Sequence, residues 1–276
     1  MAGQDRNISF IGGGRMGEAL VRGLIRGGAE RSSLVVYDTD ATRIKKLASE
    51  LGVTGASSAA EAVSNASVVI IAVKPKDVSS ALSEIHDSLS QNTVVISIAA
   101  GVPSSVIAGG LPAGTKVVRV MPNSPAGKGA AITAIAAGHG VGEEEIALAA
   151  DIFDAVGLVT MVPEKAMNAV TALSGSGPAY FYFFIKALTD AGEAQGLDRE
   201  TAFKLAHETM FGASRLLKYS KKSSEELIAE VRSPGGTTAA ALEVFEASGL
   251  AEIVDKAVAA ATKRAAELAK QPGSAS

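Results

Sequence analysis

The sequence predicts an α/β protein, with a doubly wound parallel sheet in its N-terminal part and an all-helical C-terminal domain. Three observations lead there. Residues 1–163 alternate short β-branched runs with stretches of helical period, the pattern of strands joined by crossover helices. The first run leads directly into a glycine-rich turn, Gly12-Gly13-Gly14-Arg15-Met16-Gly17. After Pro163 no further strand run is found, and residues 164–276 read as helices with capping signals.

The strand runs are Ile8 to Ile11, Leu34 to Tyr37, Val68 to Val73, Val94 to Ile98 and Val117 to Val120. Each is short and apolar, as expected of parallel strands buried on both faces. Ala131 to Ala136 and Leu158 to Val162 are further runs that would extend the same sheet. Between the first two, Met16, Leu20, Gly23, Leu24 and Gly27 recur at helical spacing. In the second half, Asp198 ahead of Arg199-Glu200-Thr201 marks a helix start. Ser223, with Glu226 three residues later, has the spacing of a capping box. Gly249 closes one helix, another runs from about Ala251 to Lys270, and the tail Gln271 to Ser276 is expected to fray. Ala179 to Ile185 reads Ala-Tyr-Phe-Tyr-Phe-Phe-Ile, apolar around the whole circumference of a helix. Such a helix must be covered on every side, and a second subunit is the expected cover.

Composition narrows the chemistry. A chain with 47% hydrophobic residues, 4% aromatic residues and a net charge of -3 is globular, with its basic residues scattered. No nucleic-acid or anionic-membrane footprint is expected from it. The absence of cysteine excludes disulfides, thiolate catalysis and zinc–thiolate sites. His86, His139 and His207 are too far apart in sequence to form a local ligand pair, so no metal site is expected. There is no secretory signal pattern and no apolar run long enough for a membrane span, which points to a soluble, cytosolic protein.

The glycine-rich turn matches G-x-G-x-x-G at Gly12, Gly14 and Gly17, after a strand and before a helix. In that setting the first glycine makes the tight turn, the second admits a pyrophosphate and the third packs the helix on the sheet. The helix start, with Arg15 and Met16, offers amide groups to the phosphates. This is the fingerprint of a Rossmann dinucleotide site. The second strand ends at Asp38, 21 residues past Gly17. An acid there hydrogen-bonds the ribose hydroxyls and repels the 2′-phosphate of NADP, so NADH is favoured over NADPH. Asp38 could equally cap the following helix. Against NADH, Arg43, one turn into the next helix, could reach a phosphate, although it reads better as a solvated helix residue. Three later strands end on the same edge, in Ala72-Val73-Lys74-Pro75, in Ala99-Ala100-Gly101 and in Met121-Pro122-Asn123. Ligands bind at the carboxyl ends of such strands, which makes these segments candidates for lining the nicotinamide half.

Two motifs distinguish the helical half. Ser174-Gly175-Ser176-Gly177-Pro178 interrupts a helical stretch, with Pro178 at the start of the next helix. Ser233-Pro234-Gly235-Gly236-Thr237-Thr238 joins two helices. Glycines and hydroxyl residues at a helix start suit a carboxylate; two flexible connections are the alternative.

With these motifs the chain resembles the pyrroline-5-carboxylate reductase family from about Ile8 to Leu250. The resemblance is carried by the glycine-rich turn, Ala72-Val73-Lys74-Pro75, Met121-Pro122-Asn123, Ala172-Leu173-Ser174-Gly175-Ser176-Gly177-Pro178-Ala179-Tyr180, Asp190-Ala191-Gly192 and Ser233-Pro234-Gly235-Gly236-Thr237-Thr238. It implies a Rossmann domain over 1–163 and a helical substrate-binding and dimerisation domain over 164–276. The implied reaction is NAD(P)H-dependent reduction of a cyclic imine, pyrroline-5-carboxylate, to L-proline, the last step of proline biosynthesis. It further implies a homodimer, with five dimers commonly forming a decamer. Ser174, Ser176, Gly177, Ser233, Gly235, Gly236 and Thr237 would bind the substrate, its carboxylate lying against Ser233, Gly236 and Thr237. Thr238, by its motif position, would hydrogen-bond the ring nitrogen. Some relatives that prefer NADPH carry polar residues around the second strand and an asparagine in the region of Ala59; this chain has Asp38 and no asparagine there.

Three other readings are weaker. A β-hydroxyacid dehydrogenase would carry a catalytic lysine in a G-x-x-x-K-x-x-x-N arrangement, but Phe181 stands four residues past Gly177. A related imine or ketone reductase with another substrate would share the fold. A non-catalytic dinucleotide sensor would not need the motifs of the helical half, and these are intact.

Overall fold

Each β-branched run forms a strand, and its neighbours in space are often not its neighbours in sequence. The structure, a computed structural model, describes residues 6–270. The tail expected to fray lies outside the described residues. The strands are β1 (Ile8–Ile11), β2 (Leu34–Tyr37), β3 (Thr54–Gly55), β4 (Val68–Ile71), β5 (Val94–Ser97), β6 (Lys116–Met121), β7 (Ala131–Ala137) and β8 (Gly157–Met161). They form one sheet in the order β3-β2-β1-β4-β5-β6-β7-β8. From β3 to β6 all pairs are parallel, with Ile8 beside both Leu34 and Val68. Strand order reverses between β1 and β4, the switch point at which an open α/β sheet binds its ligand. β7 is antiparallel to β6, and β8 returns parallel to β7.

The strands alternate their side chains between two layers, which is why the runs are apolar at nearly every position. Ile8, Phe10, Val68, Ile70 and Ile96 pack on one face. There they meet Leu20 and Leu24 of α1 (Arg15–Arg26), Leu47 of α2 (Ala41–Leu51), and Ile152 and Phe153 of a helix over Glu143–Asp154. Ile11, Val69, Ile71 and Val95 pack on the opposite face. Their partners include Val63 of α3 (Ala59–Val63), Leu82 and Ile85 of α4 (Val78–Ile85), and Ile107 of α5 (Ser104–Gly109). The Glu143–Asp154 helix is α6.

Arg119 corrects the apolar reading of the run from Val117 to Val120. It is buried in β6, and burial, the larger effect, pulls its pKa below the usual arginine value while Glu164 opposes the shift.

The helical elements of the second half are α7 (Met167–Val170), α8 (Gly177–Ala194), α9 (Arg199–Tyr219), α10 (Ser224–Val231), α11 (Thr237–Ala247) and α12 (Leu250–Lys270). Asp198 caps α9 by accepting the Thr201 N–H at 2.9 Å. Ser223 and Glu226 form the reciprocal capping box of α10. By contacts the chain divides into two units, one running to Ser176 and resuming at Ala259, the other Gly177–Val258. The contact boundary therefore falls after the segment following Pro163, because that segment is bound to the sheet. Met167 is buried with Ala134 and Ala136, and Glu164 accepts both the backbone N–H (2.7 Å) and the hydroxyl (2.6 Å) of Ser104.

The Gly177–Val258 unit buries only small residues: Gly177, Thr189, Ala202, Ala206 and Ala239. Its α8 packs on α9 where Gly192 leaves room for Ala202. Its large apolar side chains lie open, Phe183 at 74%, Tyr182 at 63% and Phe181 at 60% exposure. No helix among the described residues is long and apolar enough to cross a membrane.

The sheet core yields a first prediction. Ile70 is fully buried in β4, so Ile70→Ala should cost about 2–5 kcal/mol. A denaturant midpoint lowered at unchanged slope and fixed chain concentration would verify it; an unshifted midpoint would contradict the two-layer core.

Candidate functional site

The glycine-rich turn is shaped by close backbone contacts. Gly12 has φ +112°, and a Cβ there would lie 2.7 Å from the carbonyl group of Ala72. A Cβ on Gly17 would come 2.3 Å from Gly12 O. At Gly14 nothing beyond its own chain neighbours lies within 4 Å of that position. The second glycine therefore leaves open a cradle that a side chain would fill, where the fingerprint expects a pyrophosphate. The first bond of α1 runs from Glu18 N–H to Gly14 O. The amides of Arg15, Met16 and Gly17 thus precede the helical ladder, as anion-binding amides do.

Asp38 lies at the end of β2, 9% exposed. Its Oδ2 accepts Gly13 N–H at 2.8 Å and its Oδ1 accepts Asp40 N–H at 2.9 Å. The carboxylate thus ties β2 to the glycine-rich turn while retaining further lone pairs. Asp38 is not the cap of α2; Asp40 is, accepting Thr42 N–H at 3.0 Å. The Thr42 hydroxyl, then the same N–H, hold the Asp40 carboxyl below the ordinary aspartate pKa. Arg43 is half exposed, with Nη1 3.4 Å from Asp38 Oδ2.

A cleft of about 1160 Å³ lies over the strand ends. Gly12, Gly14, Arg15, Met16, Asp38, Ala72, Val73, Lys74, Pro75 and Ala100 all border it. Gly17 is buried under the turn, Ala99 packs into the core, and Gly101 turns the chain with φ +78°. Arg43, Lys46 and Lys76 also border the cleft and add positive charge suited to phosphates. Among the described residues Arg15, Lys74 and Lys76 have no ion-pair partner. The donor set, the open cradle at Gly14 and the acid at the end of β2 together fit a dinucleotide.

Asn123 does not border the cleft. Its Nδ2 donates to Ser174 O and its Oδ1 accepts Ile132 N–H.

In the first of the two motifs of the helical half, Thr171–Gly175 forms a π-helical turn rather than a flexible loop. Ser174 is half-buried, and its hydroxyl donates to Val170 O at 3.1 Å. Ser176 follows directly and Gly177 begins α8. Ser233 O accepts Gly236 N–H at 3.0 Å across Pro234 and Gly235, and Gly235 has φ +68°. Proline followed by a positive-φ glycine is the signature of a type II turn. Gly236 is the N-cap of α11 and supplies no side-chain bond. A Cβ there would collide with Ser233 Oγ at 2.3 Å. The Thr237, Thr238 and Ala239 amides precede the first α11 bond, from Ala240 N–H to Gly236 O. Thr238 is half-buried, and its hydroxyl has no partner among the described residues.

Sequence reasoning had no signal for the Glu164–Ser104–Arg119 cluster, whose members are scattered along the chain. Arg119 Nη1 lies 3.5 Å from Glu164 Oε1.

Comparisons with known proteins agree with this geometry. Residues 164–268 match a family model for pyrroline-5-carboxylate reductase dimerisation, and residues 7–101 match one for coenzyme F420-dependent NADP oxidoreductases. The chain is 43% identical to a pyrroline-5-carboxylate reductase of Mycobacterium leprae, over 95% of this chain and 96% of that protein. It is 38% identical to the one from Pseudomonas aeruginosa, over 96% and 98%. A solved pyrroline-5-carboxylate reductase from Coxiella burnetii superposes with a TM-score of 0.90 at 38% identity, covering 96% and 99% of the two chains. The Plasmodium falciparum enzyme, solved with NADP bound, gives 0.87 at 29% identity, covering 97% and 100%.

The glycines separate structure from binding. Gly17→Ala should cost about 1–3 kcal/mol through overpacking against Gly12 O. Gly14→Ala should cost only about 0.5 kcal/mol as an N-cap change, yet weaken dinucleotide binding at least about tenfold by filling the cradle. Thermal melts beside cofactor fluorescence titrations decide this; unchanged affinity in Gly14→Ala would remove the pyrophosphate from that cradle.

Proposed function

Because the chain belongs to the pyrroline-5-carboxylate reductase family, we propose that it reduces 1-pyrroline-5-carboxylate to L-proline with a reduced nicotinamide dinucleotide. What carries this most is that the likeness spans the substrate half as well as the nucleotide half. A dinucleotide fold alone would leave the function open.

When bound, the reduced nicotinamide supplies a hydride for the imine carbon. The amides at Arg15 and Met16, with the open space at Gly14, hold the pyrophosphate. Val73, Lys74, Pro75 and Ala100 border the part of the cleft assigned to the nicotinamide half. In the substrate half, Ser174, Ser176 and Gly177 shape the binding region. Ser233, Gly235, Gly236 and Thr237 receive the carboxylate on the free amides and hydroxyls of the type II turn and α11. The imine nitrogen enters protonated, and Thr238 Oγ1 accepts its N–H. That proton stays on the ring as carbon takes the hydride, so a strong general acid is not required.

NADH is the preferred form in this reading. A 2′-phosphate would bring its charge beside the buried Asp38 carboxylate, whereas ribose hydroxyls can donate to it. The half-exposed Arg43 offsets that repulsion only partly. The enzyme works as a homo-oligomer, because the exposed aromatics of α8 require a cover. A cytosolic location and a ring of five dimers belong to the same reading.

Oxidation of NADH and NADPH, followed at 340 nm with pyrroline-5-carboxylate, tests the function. Substrate-dependent oxidation yielding proline, faster at equal low concentration with NADH, is the expected outcome. A reversed ratio would reject the role given to Asp38. Thr238→Ala should lower kcat by about ten- to a hundredfold; an unchanged kcat would release Thr238 from the ring nitrogen. Specific activity should fall on dilution as light scattering reports loss of the oligomer, with ten chains as the expected mass before dilution. A stable, active monomer would contradict this.

A further inference from the structure

Proline has no backbone N–H, so it cannot close a helical bond onto the carbonyl four residues earlier. Pro178 therefore deprives Ser174 O of its usual donor. The chain responds locally with the π-helical turn over Thr171–Gly175, closed by Ser176 N–H donating to Thr171 O at 2.9 Å. It also brings a donor from elsewhere: Asn123 Nδ2 donates to Ser174 O at 3.2 Å. The other end of the same amide is fixed, since Oδ1 accepts Ile132 N–H at 3.1 Å. Asn123 is only 8% exposed. Two residues earlier, the terminal methyl of Met121 fills the place of a Gly175 side chain, 2.6 Å from an ideal Cβ. Met121 and Pro122 border the dinucleotide cleft.

We propose that Asn123 is a positioning residue for the substrate motif and not a cofactor ligand, resting on the substrate role given above to Ser174 and Ser176. Its amide fixes the π-helical turn on the edge of the sheet that carries the cofactor. Both polar groups of the side chain are held by backbone, Oδ1 by β7 and Nδ2 by the turn. If the bond to Ser174 O is lost, Pro178 supplies no replacement donor, so the turn and the Ser176 that follows it are free to shift along the sheet edge. Substrate binding then suffers while the cofactor contacts, made by other strand ends, stay as they were.

Asn123→Asp is the first test. It keeps an acceptor for Ile132 N–H but sets an oxygen against Ser174 O. The KM for pyrroline-5-carboxylate should rise about tenfold, the scale of one lost hydrogen bond. The cofactor dissociation constant, measured by fluorescence without substrate, should stay within about twofold. A cofactor constant that rises by the same factor as KM would return Asn123 to the cofactor site. An unchanged KM in the folded variant would reduce the contact to a structural one, and either result overturns the proposal. Should that variant fail to fold, Pro178→Ala probes the same bond without removing a buried group. It restores a helical N–H to Ser174 O, competes with Asn123 and should also raise KM for the imine at unchanged cofactor affinity; an unaltered KM overturns the proposal. An unsubstituted protein that does not reduce pyrroline-5-carboxylate would instead overturn the functional reading.

Discussion

The nucleotide end of this protein depends on a contact between two backbones. Gly12 O lies where a side chain on Gly17 would begin, and Gly12 itself sits against the carbonyl of Ala72. With a Cβ at either position, α1 could not start so close to the sheet. Its first amides would then be carried away from the strand ends. Asp38 completes the arrangement from β2 by accepting Gly13 N–H. The same carboxylate accepts Asp40 N–H, so it supports the turn and the strand end together. A change at Asp38 therefore acts on the turn itself.

The helical unit has the opposite economy. The sheet buries its large residues between two layers, yet Gly177–Val258 buries only glycine, alanine and threonine. Helices can pack closely on such small residues, but little apolar area leaves water that way. The phenylalanines and tyrosines of α8 remain outside. Burying a large aromatic side chain is worth a few kcal/mol, so the unit gains more from a second chain than from its own interior. Association therefore adds apolar burial that this half lacks on its own.

What could be read from the sequence followed from how local each signal is. Strand runs, the capping box at Ser223 and the cap at Asp198 depend on neighbours in sequence, and they occur where the spacing placed them. The same holds for the glycine-rich turn, whose three glycines have distinct local tasks. The two-residue β3 is too short to show a period, and the antiparallel course of β7 depends on a connection without a distinctive pattern. Asn123 stands at a strand end, a position that points to the cofactor, while the bonds of its amide to backbone 9 and 51 positions away have no local pattern. The buried Arg119 was equally opaque, because its neutralising partner Glu164 lies 45 positions on.

These long-range polar contacts share a location. Glu164 binds Ser104 and Arg119, and Asn123 binds Ser174, so both hold the stretch that leaves β8. Apolar packing alone, such as Met167 on Ala134 and Ala136, resists separation but tolerates a shift along the surface. A hydrogen bond has direction, and a shifted turn would leave a buried carbonyl or carboxylate unpaired. Pro178 makes this need acute by withholding the donor that a continuous helix would provide. From the sequence it looks only like the start of a helix. In the structure it also creates the vacant carbonyl that Asn123 answers, so the proline and the asparagine, far apart in the chain, are parts of one device.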